Sequence, residues 1–337
     1  MNIYFLGRHS HRTPLSYLEY QRLFNGRITI VNNPIFADFL VLGFYIDIRD
    51  NIEEIKRVKR LNPNVKVIVL SEEPLWDTLW SPGFECKNNV VNIDGYKLSY
   101  YNLNHQNSNI YDFERIPYFI TTSDDYLIRY AMLFSANSKL SCSFLSSSLK
   151  KAKYRLASYA EKRIGEKYMY INGDCIGLCD FRSRLAENYT KEPDALVVGQ
   201  GWYKNEKRQS LVDWHLDKLA NLNRQCTFVS AVENTHQRNY ITEKIFDAFA
   251  LCSIPIYYAS KEHNINKIIK DNSFVNLHGL SIEESRMKID DLEISNDLVE
   301  SYFDQMKRLR DCFSDSNAFT SERNARIERI VNNFELL

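Results

Sequence analysis

The sequence predicts an α/β protein built from two Rossmann-like domains, and three observations carry that expectation. Residues Gln225–Ser260 read as strand, polar loop, helix and strand. The N-terminal region repeats the pattern, with Asp38–Ile46 and Val65–Leu70 as strands and Asn51–Leu61 between them as an amphipathic basic helix. A chain of 337 residues also fits two domains better than one, since single cores seldom grow past about 250–300 residues.

Within the first of these stretches, Cys226–Val232 is a β-branched and aromatic run suited to a buried strand, and it ends in the polar cluster Glu233–Asn239. Thr242 is placed as the N-cap of a helix, with Glu243 and Lys244 in its first turn and Ile245, Phe246, Phe249 and Ala250 as its apolar face. After Ser253–Pro255 breaks the helix, Ile254–Tyr258 reads as the next strand of a βαβ crossover. The polar loop therefore falls at the C-terminal edge of a parallel sheet, where open α/β folds bind ligands. Free N–H groups at a helix N-terminus and the charge of Lys244 together suit a diphosphate. Glu243 has a different use, because a carboxylate repels phosphate but can accept both hydroxyls of a ribose. An ordinary solvated first turn is the competing reading.

Glu233-Asn234, Tyr240-Ile241-Thr242-Glu243-Lys244-Ile245 and Ile254-Pro255-Ile256-Tyr257 together resemble the signature of the α1,3/4-fucosyltransferases, glycosyltransferase family 10. Ser273-Phe274-Val275-Asn276 resembles the strand that follows that signature, and the match is strongest over about residues 174–280. The resemblance implies a GT-B fold of two Rossmann-like domains facing across a cleft. It implies that Tyr240, Thr242, Glu243 and Lys244, with Glu233 and Asn234 beside them, bind the ribose and diphosphate of GDP-fucose.

Composition narrows the classes. Forty-three basic and forty-three acidic residues cancel, so no global field draws in nucleic acid. Seven cysteines are odd in number and lack a framework spacing, which reads as reduced thiols. Cys175 and Cys179 form a lone CxxxC without a second pair, too little for a zinc site. No apolar run reaches the roughly 18 residues of a membrane span, and Met1–Gly7 is too short for a signal sequence. The expectation is a cytoplasmic protein of the bacterial type, unlike the anchored eukaryotic members, with peripheral membrane contact left open.

From the N-terminus, Asn2–Leu6 is a short apolar strand followed by His9, His11 and Arg12, which could grip an acceptor sugar or an anionic group. The HxH pair lacks a carboxylate or Cys neighbour, so no metal is expected there. The nearly all β-branched strand ending at Leu70 belongs in the centre of a parallel sheet, and Ser71-Glu72-Glu73-Pro74-Leu75-Trp76 follows it. Adjacent carboxylates at that strand end, partly buried beside Trp76, suit a catalytic base, the alternative being an exposed acidic turn. The family carries a Glu in this place, commonly as Glu-Ser-Pro; Glu72-Glu73-Pro74 puts Glu72 in register and leaves Glu73 open. Trp76 joins the acceptor-side residues.

Farther on, Ile116–Thr121 reads as a strand, Asp124–Phe134 as a helix, the serine-rich Ser141–Ser148 as loop and Lys150–Gly165 as a basic helix. A boundary near Gly165 gives an acceptor-side domain of residues 1–164 and a donor-side domain of residues 165–337. Glu166–Asn172 opens the second domain as a strand, and Asp180–Glu187 runs from loop into helix. By resemblance Arg184 reaches the donor diphosphate, with Arg182 the alternative, because a planar guanidinium holds two phosphate oxygens at once. Asp180 stands where the family usually shows a Ser-Asn-Pro-Asn type loop, which sets a carboxylate near the leaving group. Gly199-Gln200-Gly201 permits close backbone approach to a ligand but is weak evidence alone. His215 reads as a packed helix residue, and the chain from Ser281 as charged helices.

The expected reaction is inverting, metal-independent glycosyl transfer from a nucleotide sugar, GDP-fucose favoured, to a hydroxyl of a glycan or glycolipid such as a surface polysaccharide or lipopolysaccharide. Glu72 or Glu73 serves as base, and Arg184, Lys244 and the helix N-terminus stabilise the leaving diphosphate. No cofactor is required beyond the nucleotide-sugar co-substrate. One alternative is a retaining transferase for another donor, such as CMP-Kdo, through an Asp180 adduct. Another is a non-catalytic nucleotide- or carbohydrate-binding protein.

Overall fold

The computed structural model describes residues 1–203 and 210–337. The chain forms two compact units, each an α/β layer structure around a mostly parallel sheet. The first comprises residues 1–114, 121–124 and 319–337, and the second residues 115–120 and 125–318.

In the first unit six strands, β1 (Asn2–Phe5), β2 (Thr29–Ile30), β3 (Phe39–Leu42), β4 (Lys66–Leu70), β5 (Asn88–Ile93) and β6 (Tyr96–Leu103), stand in the order β2-β1-β3-β4-β6-β5. All neighbours are parallel except the β5–β6 hairpin at one edge. Four successive buried residues in β4 bear out its central place: a strand covered on both faces cannot alternate with polar residues. The helix Ile52–Leu61 buries Ile55 and Val58 against Leu40, Leu42 and Val67. Because the chain leaves β1 first toward β2 and then toward β3, the order reverses between β1 and β3. That reversal opens a crevice beyond the strand ends in folds of this kind.

In the second unit β7 (Tyr154–Tyr159), β10 (Ala195–Val198), β11 (Cys226–Ser230), β13 (Ile254–Tyr257) and β14 (Val275–Asn276) form a wholly parallel sheet in the order β10-β7-β11-β13-β14. Its reversal lies between β7 and β11. A small antiparallel sheet of β8 (Ile171–Asn172), β9 (Cys175–Gly177) and β12 (Thr235–His236) is inserted above it.

Several local expectations change. Residues 154–159 form the strand from which the second sheet is wound, not part of a basic helix; Leu156, Ala157 and Ser158 are buried there while the lysines that suggested a helix flank it. The units consequently divide at residues 114–125 and not near Gly165. The serine-rich segment is a helix, Cys142–Lys150, started by the Ser141 hydroxyl, which accepts from Phe144 N–H at 3.1 Å. Residues 118–122 are a 3-10 turn and not a strand. Three helices, Ile282–Asp290, Asn296–Phe313 and Ser316–Glu335, end the chain, the last returning from residue 319 onward to the first unit. No helix among the described residues is long and apolar enough to cross a membrane, and all seven cysteines are free thiols.

Candidate active site

The C-terminal edge of the first sheet gathers side chains from the ends of three strands. After β4, Glu72 and Glu73 are almost wholly buried, 4% and 6% exposed, which excludes the solvated acidic turn. Arg12, from the loop after β1, spans both: Nε donates to Glu72 Oε1 at 2.6 Å and Nη2 to Glu73 Oε2 at 3.0 Å. Tyr17 OH lies 3.0 Å from each Glu72 oxygen. From beyond β6, His105 Nε2 donates to the Glu72 carbonyl at 3.0 Å. Burial opposes the charge on Arg12, but the carboxylates of Glu72 and Glu73 outweigh it and raise its pKa further. Burial and then the Glu72 carboxylate likewise raise Tyr17, which stays a phenol and a donor.

At the β1/β3 reversal itself, His9 stacks on Phe44 at 4.4 Å and its Nδ1 donates to the buried Asp47 at 2.9 Å. The loops approach so closely that a Cβ on Gly43 would lie 1.8 Å from the His9 carbonyl oxygen, so only glycine fits. His11 turns away, exposed, with Nδ1 on the Arg8 carbonyl at 3.0 Å. Trp76 is half-buried edge-on to Trp80 at 5.4 Å. Asp77, next in the chain after Trp76, is buried, and its Oδ1 accepts from Tyr45 N–H at 2.5 Å. Burial, with the Asp47 carboxylate adding to it, raises Asp77 to about 7 against the pull of its hydrogen bonds.

In the second unit the loop after β11 folds back on the start of the helix Glu243–Ala250. Glu233, 3% exposed, accepts from Thr242 N–H at 2.7 Å and from Lys244 Nζ at 2.9 Å, and its oxygens lie 2.8 and 2.9 Å from the Thr242 hydroxyl. Thr242 occupies the N-cap position in extended backbone, but its side chain caps nothing. Its hydroxyl faces Glu233 and Lys244 Nζ, so first-turn N–H groups are left uncapped by Thr242. Glu243 is also buried, 3.6 Å from Lys244 Nζ. Asn234 and Tyr240 are buried in the same loop, where the Asn234 carbonyl accepts from Leu178 N–H at 2.8 Å and Tyr240 N–H donates to the Gln237 carbonyl at 2.9 Å.

The helix carrying this turn is fixed from below. Asp247, fully buried, accepts from His215 Nε2 at 2.7 Å, Tyr130 OH at 2.6 Å and Lys218 Nζ at 2.9 Å. Burial alone would raise this carboxyl; the Lys218 charge and the His215 and Tyr130 bonds bring it down to about 2. The loop is held from the side by His236, whose Nδ1 donates to the Asp174 carbonyl at 2.6 Å while Nε2 accepts from Ser260 N–H at 3.0 Å. Burial holds His236 below its ordinary range, in keeping with a neutral ring using one nitrogen each way.

The helix Cys179–Glu187 separates the two candidate arginines. Residues two apart on a helix project about 200° from one another. Arg182 is buried and reaches the Val232 carbonyl at 3.2 Å, one residue before Glu233, while its Nε finds no partner among the described residues. Arg184 is exposed and bound to Asp180 Oδ2 at 2.7 Å; the other Asp180 oxygen accepts from Gly165 N–H at 2.8 Å. Arg182, and not Arg184, therefore joins the signature loop. Tyr17, Asp47, Asp77, His105, His236 and Asp247 were not anticipated from sequence.

A cavity of about 560 Å³ opens at the opposite, N-terminal edge of the first sheet, lined by Ala37, Phe39, Val65 and Phe334 among others. It lies at the wrong end of the strands for a ligand of this fold.

Residues 180–326 match the model of glycosyltransferase family 10 (fucosyltransferase) C-term. That match spans under half of the chain. The 4-galactosyl-N-acetylglucosaminide 3-alpha-L-fucosyltransferase 9 of Mus musculus and that of Homo sapiens are each 29% identical to it over 83 residues, 24% of this chain and 23% of theirs. The chain thus matches under a quarter of the length of those curated relatives. Among solved structures, an alpha1,3-fucosyltransferase with GDP-fucose is 19% identical with a TM-score of 0.47, covering 90% of this chain and 81% of that one. One with GDP is 15% identical with a TM-score of 0.46, covering 95% and 92%.

Proposed function

We propose that this protein is a member of glycosyltransferase family 10 and transfers a sugar from a nucleotide-sugar donor, GDP-fucose favoured, to a hydroxyl of a glycan or glycolipid, with inversion and without a metal. The observation that carries the reading is the Glu233–Thr242–Lys244 cluster at the first turn of the helix Glu243–Ala250. It presents N–H groups and one ammonium where a diphosphate would sit, with Glu243 placed for ribose hydroxyls. Arg182, which reaches the signature loop, adds the second cation.

In the transfer step an acceptor oxygen forms a bond to the anomeric carbon as its proton passes to Glu72 or Glu73. The bond from that carbon to the phosphate oxygen breaks, and the electron pair leaves on the diphosphate, where Lys244 and an arginine stabilise it. His9, Arg12 and Trp76 supply the acceptor side; His11, exposed and turned outward, can meet only a more distant part of the acceptor. The natural acceptor in this reading is a surface polysaccharide or lipopolysaccharide, modified in the cytoplasm.

The test is thermal stabilisation by GDP, UDP, CDP and CMP in parallel. A nucleotide at a hundred times its dissociation constant adds about 2.7 kcal/mol. Stabilisation by GDP above the others supports the reading, and none by any of the four removes it. A nucleotide-binding protein without activity on this fold would pass that test and fail a turnover assay with GDP-fucose.

A further inference from the structure

We propose that Tyr111 and His105 are positioning residues that aim Glu72 by gripping the backbone on which it stands. The inference rests on the reading of Glu72 as the base.

The β4 ladder ends at Ser71, whose N–H still donates to the Leu103 carbonyl at 3.1 Å. Beyond it, the next two carbonyls turn to one pair of rings. Tyr111 OH donates to the Ser71 carbonyl at 2.7 Å, and His105 Nε2 donates to the Glu72 carbonyl at 3.0 Å. The two rings are stacked, centroids 3.9 Å apart and 20° from parallel, and both residues are buried. Fixing the carbonyls on either side of the Glu72 Cα fixes the plane of each flanking peptide and so the direction of its Cα–Cβ bond. A carboxylate held at its base in this way, and at its tip by Arg12 and Tyr17, has little freedom left.

The aromatic pair is itself braced. Arg326, fully buried in the last helix, donates from Nε to the Ile110 carbonyl at 3.0 Å and from Nη2 to the Asp112 carbonyl at 3.1 Å, bracketing Tyr111. Burial drives His105 down to about 3, with the Glu72 carbonyl pulling the other way, so it is a neutral donor throughout the working range and no rival for the acceptor proton. Its role is geometric.

The experiment compares Tyr111→Phe, His105→Leu and His105→Gln with Glu72→Gln, measuring kcat, donor KM and nucleotide affinity on variants shown to be folded by circular dichroism. Misplacing a reacting group by about 1 Å can cost on the order of a hundredfold, so Tyr111→Phe and His105→Leu should lower kcat by about tenfold to a hundredfold with nucleotide affinity unchanged. His105→Gln keeps an N–H donor for the Glu72 carbonyl and should recover most of that loss. Full turnover in Tyr111→Phe and His105→Leu beside an inactive Glu72→Gln overturns the positioning role alone. Equal losses in the Leu and Gln variants overturn it too, since packing would then explain both. Turnover in Glu72→Gln overturns the base and its positioning together.

Discussion

Asp77 makes the electrostatics of the β4 loop measurable. Its carboxyl is buried, with Tyr45 N–H on Oδ1 and the Asp47 carboxylate nearby, and is raised from an ordinary value of 3.8 to about 7. A folded-state pKa above the unfolded one means that the folded protein holds the extra proton between those two values. Stability from this group is therefore complete below about pH 4 and is lost as pH rises toward 7. At roughly 1.4 kcal/mol per pH unit, the loss across that window is about 4 kcal/mol. Asp77→Asn resembles the protonated carboxyl, keeps an oxygen for Tyr45 N–H and cannot ionise. The stability of the variant relative to wild type should then grow by about 2.5 kcal/mol between pH 5 and pH 8, read as unfolding free energy in urea at each pH. Parallel stability curves for the two proteins over that range would refute the reasoning.

Two further outcomes follow from the second unit. Lys244→Gln keeps a hydrogen bond for Glu233 but removes the charge, so GDP affinity by calorimetry should fall by about tenfold to a hundredfold, corresponding to roughly 1.5–3 kcal/mol for a charge-assisted bond; unchanged affinity removes Lys244 from the donor site. Asp247→Asn leaves the buried Lys218 ammonium without its counter-charge and should destabilise the protein by about 3–5 kcal/mol in chemical denaturation, with a loss below 1 kcal/mol counting against the network.

What the sequence disclosed and withheld follows from the range of the interactions. The strand, loop and helix around Glu233–Lys244 were legible because their residues lie within 11 positions of one another, and periodicity and turn chemistry act over such spans. The grip on Glu72 was not legible. Arg12, Tyr17 and His105 lie 60, 55 and 33 positions from it, and no local pattern brings them together. Arg12 stands out by its charge at a strand end, while Tyr17 and His105 offer no signal among 21 tyrosines and seven histidines. The strand Tyr154–Tyr159 is hidden in the sequence for a different reason: its flanking lysines imitate a basic helix, and only pairing with β10 and β11 overrides that local preference. Thr242 shows the converse. Its position as N-cap is readable from residue type, but its hydroxyl is drawn to Glu233, nine residues away.

The stereochemical course turns on Asp180. A retaining mechanism through a covalent adduct needs a carboxylate oxygen free to attack the anomeric carbon. Asp180 is buried, with one oxygen taken by Gly165 N–H at 2.8 Å and the other by Arg184 Nε at 2.7 Å. Those bonds tie the loop after β7 to the first turn of the helix Cys179–Glu187, a negative charge where the helix dipole favours one. To attack, the carboxylate would have to give up at least one of them. Asp180→Asn retains an acceptor for one partner, so it should cost stability, about 1–2 kcal/mol from the charge-assisted bonds, while leaving a substantial part of turnover. Glu72→Gln or Glu73→Gln should do the reverse, abolishing transfer in a protein that still binds GDP. Two measurements decide between the courses: NMR of the anomeric linkage in the product, and mass spectrometry of wild-type protein given donor alone. A product of retained configuration, or a glycosyl mass on the Asp180 peptide, would assign the chemistry to Asp180 and overturn the base proposed in the β4 loop.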